Sequence, residues 1–245
     1  MNIFLAEFLG TLLLVLLGNG AIATVLLSRS KGEGSGWFVV TAGWGFALTL
    51  AIYAVGWVSG AHLNPAITIA MATMGRVATD LVPQYLFGQF LGAMAGAALM
   101  WLVYLPHWSV TENKANKLMC FCTKPAVKKP FVNMLVEVIA TAVFLFGILT
   151  VLDERTGFTT ASAPLMIGFL IFGIGLTLGS PTGFALNPAR DLGPRVMHAL
   201  LPVHGKGESE WDYAWVPVVG PIVGAIVGSL FYQAFTAAMT VAPQA

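Results

Sequence analysis

Residues 59–66 read Ser-Gly-Ala-His-Leu-Asn-Pro-Ala, and residues 182–189 read Thr-Gly-Phe-Ala-Leu-Asn-Pro-Ala. Each stretch ends in the same tripeptide and lies within strongly apolar sequence. An unpaired peptide group is costly in lipid, so irregular backbone at that depth is either buried in protein or lines a wet cavity. A chain that carries such a segment twice is expected to build one site from two halves.

The composition indicates a membrane protein. The chain has 245 residues, of which 57% are hydrophobic and 9% are charged, whereas a soluble domain carries about 25% charged residues. A bilayer core of about 30 Å takes about 20 apolar residues per helix. Six apolar runs meet or approach this length, at about 3–27, 37–57, 84–105, 131–152, 163–180 and 214–239. The first lacks a basic leader and is interpreted as a retained helix, and no separate soluble domain is expected.

The two halves of the chain correspond beyond these stretches. Glu7 and Glu137 each lie in the first apolar run of a half, and glycines recur every four residues in the last run of each half, at Gly88, Gly92, Gly96, Gly220, Gly224 and Gly228. Glycine at this spacing lets a neighbouring helix approach closely. Three spans per half is an odd number, so the second half enters the bilayer from the opposite side as an inverted repeat. Residues 1–245 are predicted to form one transmembrane domain, with repeats at 1–105 and 131–245 joined by a linker at 106–130.

Each Asn-Pro-Ala tripeptide predicts the start of a short helix. Asparagine is a good N-cap, and proline is tolerated at the first helical position. Asn64 and Asn187 should therefore cap helices over about 65–74 and 188–198, too short to cross the bilayer. Two such half-helices would meet tip to tip near the midplane, where each N-terminus carries roughly +0.5 of an elementary charge and repels cations. The asparagine amides would point N–H groups into the lumen. The pore residues predicted from the tripeptides are Asn64, Pro65, Ala66, Asn187, Pro188 and Ala189.

The extended residues before each tripeptide have carbonyl groups without helical partners. Such carbonyls can form a ladder of acceptors along a pore wall. The predicted set is Gly60, Ala61, His62, Gly183, Phe184 and Ala185. For His62, only the backbone carbonyl is assigned to the pore, because a hydrogen-bonded core histidine is at least as reasonable as a pore ligand.

Four charged residues are expected to lie near these segments within the apolar part of the protein. Arg190 lies one turn beyond Asn187, and a charge at this depth is usually functional or paired. Asp191 is either its ion-pair partner or a charge that complements the helix start, and the second role suffices. Glu7 and Glu137 could relay protons, but their symmetric placement favours anchoring the unpaired N–H groups of the two loops.

The linker at 106–130 holds five lysines and both cysteines, Cys120 and Cys122. It is interpreted as a solvated loop. One residue between the cysteines and no further cysteine argue against a structural metal site. Neither a cofactor nor a nucleic-acid partner is expected.

At these residues the sequence resembles the aquaporin, or major intrinsic protein, family, over essentially the whole chain. The resemblance implies an all-α membrane protein with six transmembrane helices and two re-entrant half-helices. It also implies a homotetramer in the plasma membrane, with one pore per subunit and both termini in the cytoplasm. By position, the narrow filter of the family corresponds to Trp44, Gly175, Phe184 and Arg190. Water-selective members usually place histidine at the position of Gly175, so this slot looks similar to that of glycerol facilitators.

The chain is therefore expected to be a passive channel for glycerol, other small neutral solutes and water, and not an enzyme. The alternative is a proton-coupled transporter that uses Glu7 or Glu137. An intramembrane hydrolase based on Ser59 and His62 lacks a nucleophile elbow, and a structural junction protein would have an occluded pore. One feature conflicts with the family topology, because lysine and arginine concentrate in linkers that the positive-inside rule would put in the cytoplasm.

Overall fold

The computed structural model describes residues 2–241, and every regular element in that part of the chain is helical. The helices are α1 Ile3–Leu26, α2 Trp37–Ser59, α3 Pro65–Thr73, α4 Val82–Val103, α5 His107–Val110, α6 Lys114–Met119, α7 Pro130–Val151, α8 Ala163–Thr177, α9 Pro188–Leu200 and α10 Val216–Val241, with a short 3₁₀ turn at Glu154–Thr156.

Five of these helices, α1, α2, α4, α7 and α10, are long and apolar enough to cross a membrane. The sixth apolar helix, α8, has 15 residues, which at 1.5 Å per residue is about 22 Å. It is shorter than the predicted run at 163–180 because the chain leaves the helix before Gly179 to enter the second re-entrant loop. The all-α fold, with six apolar helices and two half-helices, is otherwise as predicted.

The glycine stripes set the closest helix contacts within each half. A Cβ atom added at Gly92 would lie 2.3 Å from the carbonyl oxygen of Phe8, and one at Gly224 would lie 2.4 Å from that of Val138. No side chain fits at such distances, so α4 packs directly on the backbone of α1, and α10 on that of α7. The predicted role of the stripes is confirmed.

The two halves interlock. The half-helix α3 of the first half contacts α10 of the second, and α9 of the second half contacts α4 of the first. The long helices α2 and α8 also pack together across the halves. Each re-entrant segment is therefore held partly by the opposite repeat, which fixes the two half-helix tips relative to each other.

The prediction of a solvated linker at 106–130 was wrong for its middle. The segment contains α5 and α6, and Trp108, Cys120, Phe121 and Cys122 are almost completely buried. The side chain of Lys117 is buried as well and donates a hydrogen bond to the carbonyl of His204. The linker packs against the loop after α9, so its apolar residues are covered by tertiary contacts.

Candidate functional site

The two half-helices meet through their capping asparagines. The Asn64 side-chain oxygen accepts from the backbone N–H of Ala66 at 2.9 Å, and that of Asn187 accepts from Ala189 at 3.0 Å. Proline occupies the first helical position in both. These are the caps predicted from the tripeptides, and they bring the positive ends of α3 and α9 together.

Each asparagine also binds the opposite loop. Asn64 Nδ2 donates to the carbonyl of Leu186 at 2.8 Å, and Asn187 Nδ2 donates to that of Leu63 at 2.7 Å. A carboxamide nitrogen carries two hydrogens, so one hydrogen of each asparagine is used in this reciprocal pair. The expectation of lumen-facing amide N–H groups therefore holds for at most one hydrogen per asparagine. Both residues line the central cavity.

The two buried glutamates hold the re-entrant loops. Glu7 accepts from the backbone N–H groups of His62 and Leu63, at 3.0 and 2.7 Å, and from the side chains of Ser59 and Gln89, at 2.6 and 2.8 Å. This is the placement that the anchoring interpretation requires, because these amides lie outside regular helix and need an acceptor.

Glu137 plays the matching part in the second half. It accepts from the N–H groups of Ala185 and Leu186, each at 3.0 Å. Neither glutamate lines the central cavity.

The loops share a strained backbone pattern. Three residues in each have positive φ, the non-glycine ones being Ala61, Leu63, Phe184 and Leu186 at φ 49, 52, 40 and 54°. A non-glycine residue in this region costs on the order of 1–3 kcal/mol and persists only where its surroundings over-determine it. The carboxylate bonds and the asparagine pair provide that constraint.

A cavity of about 640 Å³ runs beside the two loops. Its lining combines the extended residues of the loops with apolar side chains from the helices, which are Leu48, Ile52, Ile67, Met71, Phe144, Ile148, Ile167 and Ile171. Of the six residues predicted to supply pore carbonyls, five line this cavity. Gly183 does not, because it lies against Thr123 of the linker.

Trp44, Phe184 and Arg190 all line the cavity and form a corner in its wall. The guanidinium carbon of Arg190 lies 4.1 Å from the centroid of the Trp44 ring, well within cation–π range. The rings of Trp44 and Phe184 meet edge to face, with centroids 6.3 Å apart. The buried Nη1 atom of Arg190 has no hydrogen-bond partner among the described residues, so a donor faces a mostly apolar corner.

The fourth predicted filter residue, Gly175, supports this corner from behind. It does not line the cavity. A Cβ atom there would lie 2.8 Å from Thr41 Cγ2 and 3.4 Å from the ring of Phe184. The bare backbone at Gly175 thus leaves the space that the Phe184 ring occupies.

His62 is tied into the wall beside the first loop. Its ring stacks on Tyr85 with centroids 4.6 Å apart, and its Nδ1 is 3.1 Å from Thr68 Oγ1. The hydrogen-bonded core role weighed for this histidine is therefore realised, although its residue also borders the cavity.

Asp191 does more than complement the helix start. Its carboxylate forms an ion pair with Arg195, with a closest N–O distance of 2.8 Å and both side chains fully buried. It also accepts from the backbone N–H and the hydroxyl of Thr123, at 2.7 and 2.5 Å. Arg195 and Thr123 were not predicted as site residues. The Asp-Arg spacing of four residues was the available signal for Arg195, whereas nothing local identifies Thr123.

The comparisons with known proteins agree with this geometry. The family model described as "Major intrinsic protein" matches residues 1–232. A "Probable glycerol uptake facilitator protein" of Thermotoga maritima is 51% identical over 220 residues, covering 90% of this chain and 93% of the relative. A "D/L-lactic acid transporter" of Lactiplantibacillus plantarum is 35% identical, covering 85% of this chain and 87% of the relative.

A solved structure shows the same architecture. The aquaglyceroporin from Plasmodium falciparum superposes with a TM-score of 0.87 at 32% sequence identity, covering 97% of each chain. Together with the family match over residues 1–232, these relations establish that the chain belongs to the major intrinsic protein family.

Proposed function

We propose that this protein is a passive channel for glycerol and other small neutral solutes, through which water also passes. The observation that carries the proposal is the corner formed by Trp44, Phe184 and Arg190, where an apolar edge faces a charged donor. Relatives of about half-identical sequence bear the name glycerol uptake facilitator, which supports the choice of solute.

The corner suits a polyol because a polyol has two kinds of edge. Its carbon backbone can lie against the rings of Trp44 and Phe184, which removes apolar surface from water. Its hydroxyl groups can accept from Arg190 and donate to loop carbonyls. Each hydroxyl then exchanges hydrogen bonds with water for hydrogen bonds with the protein, so entry costs little.

Cations are excluded by the charge at the constriction and at the midplane. Arg190 lines the cavity, and the N-termini of α3 and α9 converge at the paired asparagines. Both features are positive, and no carboxylate of residues 2–241 lines the cavity. A cation would lose hydration without finding a compensating charge.

The position of the two buried glutamates argues against the proton-coupled alternative. A coupling carboxyl must exchange protons with the conducting pathway, yet Glu7 and Glu137 lie outside the cavity wall and are occupied by loop N–H groups. Their hydrogen bonds support an anchoring role.

The proposal is tested with the purified protein in lipid vesicles by stopped-flow light scattering, with water, glycerol, urea and lactic acid as solutes. Glycerol should equilibrate much faster than in protein-free vesicles and should stop at equal concentrations. Accumulation above equilibrium under a pH gradient would establish the transporter instead. Glycerol rates equal to those of protein-free vesicles would refute the channel.

We infer a homotetramer in the plasma membrane, with both termini in the cytoplasm. An apolar groove between α1 and α2, bordered by Leu17, Phe38, Phe46 and Leu50, offers a face that lipid or a second subunit would cover. Mass measurement of the detergent-solubilised protein tests the subunit number.

This orientation puts the lysine-rich linkers outside. Their charges are partly neutralised within the fold, because Lys124 pairs with Glu210 and Lys128 pairs with Asp212. The Lys128 ammonium lowers the pKa of the Asp212 carboxyl through this hydrogen bond. Protease or tag accessibility in oriented vesicles tests the orientation.

A further inference from the structure

The two half-helices are anchored differently at equivalent positions. The fourth residue after each capping asparagine is Thr68 in the first half and Asp191 in the second. The Thr68 hydroxyl lies 2.9 Å from Gln89 Nε2 and 3.1 Å from His62 Nδ1, so its contacts stay within the first repeat. Asp191 instead reaches into the linker and binds Thr123.

All three polar groups of Thr123 form hydrogen bonds. Its N–H and hydroxyl donate to Asp191, at 2.7 and 2.5 Å, and its carbonyl accepts from Arg195 Nη2 at 3.0 Å. Arg195 is fully buried and also donates to the carbonyls of Ser209 and Glu210. The linker is thus fixed to α9 and to the loop that follows it.

Thr123 in turn lies against the second re-entrant loop. A Cβ atom added at Gly183 would lie 3.4 Å from both Cβ and Cγ2 of Thr123, so the two residues are close neighbours. Gly183 has φ +89° and is followed by Phe184 at φ 40°. A second contact lies nearby: the N–H of Ala126, three residues after Thr123, donates to the carbonyl of Pro181, two residues before Gly183, at 3.0 Å. The linker therefore lies next to the strained turn that places the Phe184 ring against Trp44 in the cavity wall.

The glutamate anchors of the two loops differ. Glu7 receives four hydrogen bonds, including those from Ser59 and Gln89. Glu137 accepts from two backbone groups of the second loop, Ala185 and Leu186, and the Thr182 side chain lies next to its carboxylate. The turn at Phe184 lies before both of them, where the linker makes its contact.

We propose that Thr123 is a positioning residue for solute selection, which acts by holding the Gly183–Phe184 turn and does not itself contact solute. The inference rests on the proposed channel function. Thr123 is absent from the cavity wall, so any effect on selectivity must pass through the turn. A purely structural role would change the number of working channels and leave the ratios between solutes unaltered.

The test compares three variants in vesicles. Thr123→Ser keeps the hydroxyl and the Cβ contact, Thr123→Val keeps the shape but removes the donor to Asp191, and Thr123→Ala removes both hydroxyl and methyl. Thr111→Val is the matched control, because Thr111 is also buried and its hydroxyl also bonds two backbone groups, accepting from the N–H of Ser28 and donating to the carbonyl of His107. The readout is the ratio of permeabilities for water, glycerol and a four-carbon polyol, which does not depend on channel number.

We expect the Val and Ala variants to change at least one ratio by about threefold or more, because pore width and lining decide selectivity. The Ser variant and the Thr111 control should keep the parent ratios. Unchanged ratios in both Val and Ala, or an equal change in the control, would overturn the proposal. If the parent passes no glycerol, the proposed function fails, and the placement of Thr123 against the second loop is then tested by the labelling of Cys122.

A second measurement does not depend on flux. Cys122 is almost completely buried beside Thr123, and the chain has two cysteines. Loosening of the linker in Thr123→Ala should raise the rate at which a maleimide labels Cys122, with the Thr111 control unchanged. Equal labelling rates in the parent and in Thr123→Ala would also count against the proposal.

Discussion

Replacement of Glu137 by glutamine tests how the second re-entrant loop keeps its shape. The carboxylate accepts from Ala185 and Leu186, each at 3.0 Å. A carboxamide has one acceptor oxygen and one donor nitrogen. Glu137→Gln can therefore satisfy one of the two amides, and its NH₂ group must face the other.

The free energy lost with these hydrogen bonds is expected to be comparable to the backbone strain in the second loop. A hydrogen bond to a charged group contributes ~1.5–3 kcal/mol, and a buried N–H left without an acceptor costs ~1–3 kcal/mol. We expect a net local loss on the order of 2–4 kcal/mol. Phe184 and Leu186 hold left-handed conformations that cost roughly 1–3 kcal/mol each. The loop should therefore leave this conformation in a large share of molecules while the helix bundle stays folded.

The assay is glycerol permeability per inserted channel, measured by stopped-flow and normalised to protein content. Glycerol permeability of Glu137→Gln should fall at least about tenfold, since 1.4 kcal/mol corresponds to a factor of ten. The variant Glu112→Gln is the control, because Glu112 is exposed in the linker. Parent-like permeability and thermal stability in Glu137→Gln would refute the anchoring argument. Normal permeability with a lost response to pH would instead favour proton coupling.

Three further changes test the site and the packing. Arg190→Ala should relax the constriction and admit larger or charged solutes; a solute profile like that of the parent in the flux assay would show that Arg190 does not limit passage. Combining Gly175→His with Phe184→Thr should favour water over glycerol in the same assay, since the ring next to the new side chain is removed. Gly92→Val should cost about 1–3 kcal/mol or more and lower the melting temperature in detergent, because its Cβ would lie 2.3 Å from a carbonyl oxygen of α1; the control Gly20→Ala, with nothing within 4 Å of that Cβ, should melt like the parent.

Much of the fold follows from signals that act over a few residues. The apolar runs determine the long helices because a span needs only length and composition. The caps at Asn64 and Asn187 follow from the tripeptides themselves, since a cap involves neighbours two or three residues away. The glycine stripes likewise predict close helix packing from spacing alone, and the structure places α4 and α10 on their partners as expected.

Other features depend on residues far apart in the chain. The placement of Trp44 beside Arg190, and the role of Gly175 behind Phe184, bring together residues from α2, α8, α9 and the second loop. Apart from Arg190, which its charge within an apolar region had indicated, only the family resemblance pointed to these residues. The prediction of a solvated linker was wrong because its burial depends on the loop after α9, some 85 residues away. Lys117 shows why local signals fail here: its charge predicts exposure, whereas its hydrogen bond to the carbonyl of His204 holds it in the interior.

The sequence by itself thus determined the membrane environment, the two half-helices and their capped tips, because each rests on short-range hydrogen bonding or on apolar length. The tertiary structure alone decided which wall each residue faces and what supports the constriction. Thr123 binds Asp191 of α9 and lies next to Gly183 of the second loop, 60 or more residues along the chain, and such contacts leave no periodicity or motif in the sequence. The interactions of Thr123 stabilise the protein only once the linker, α9 and the second loop are packed together.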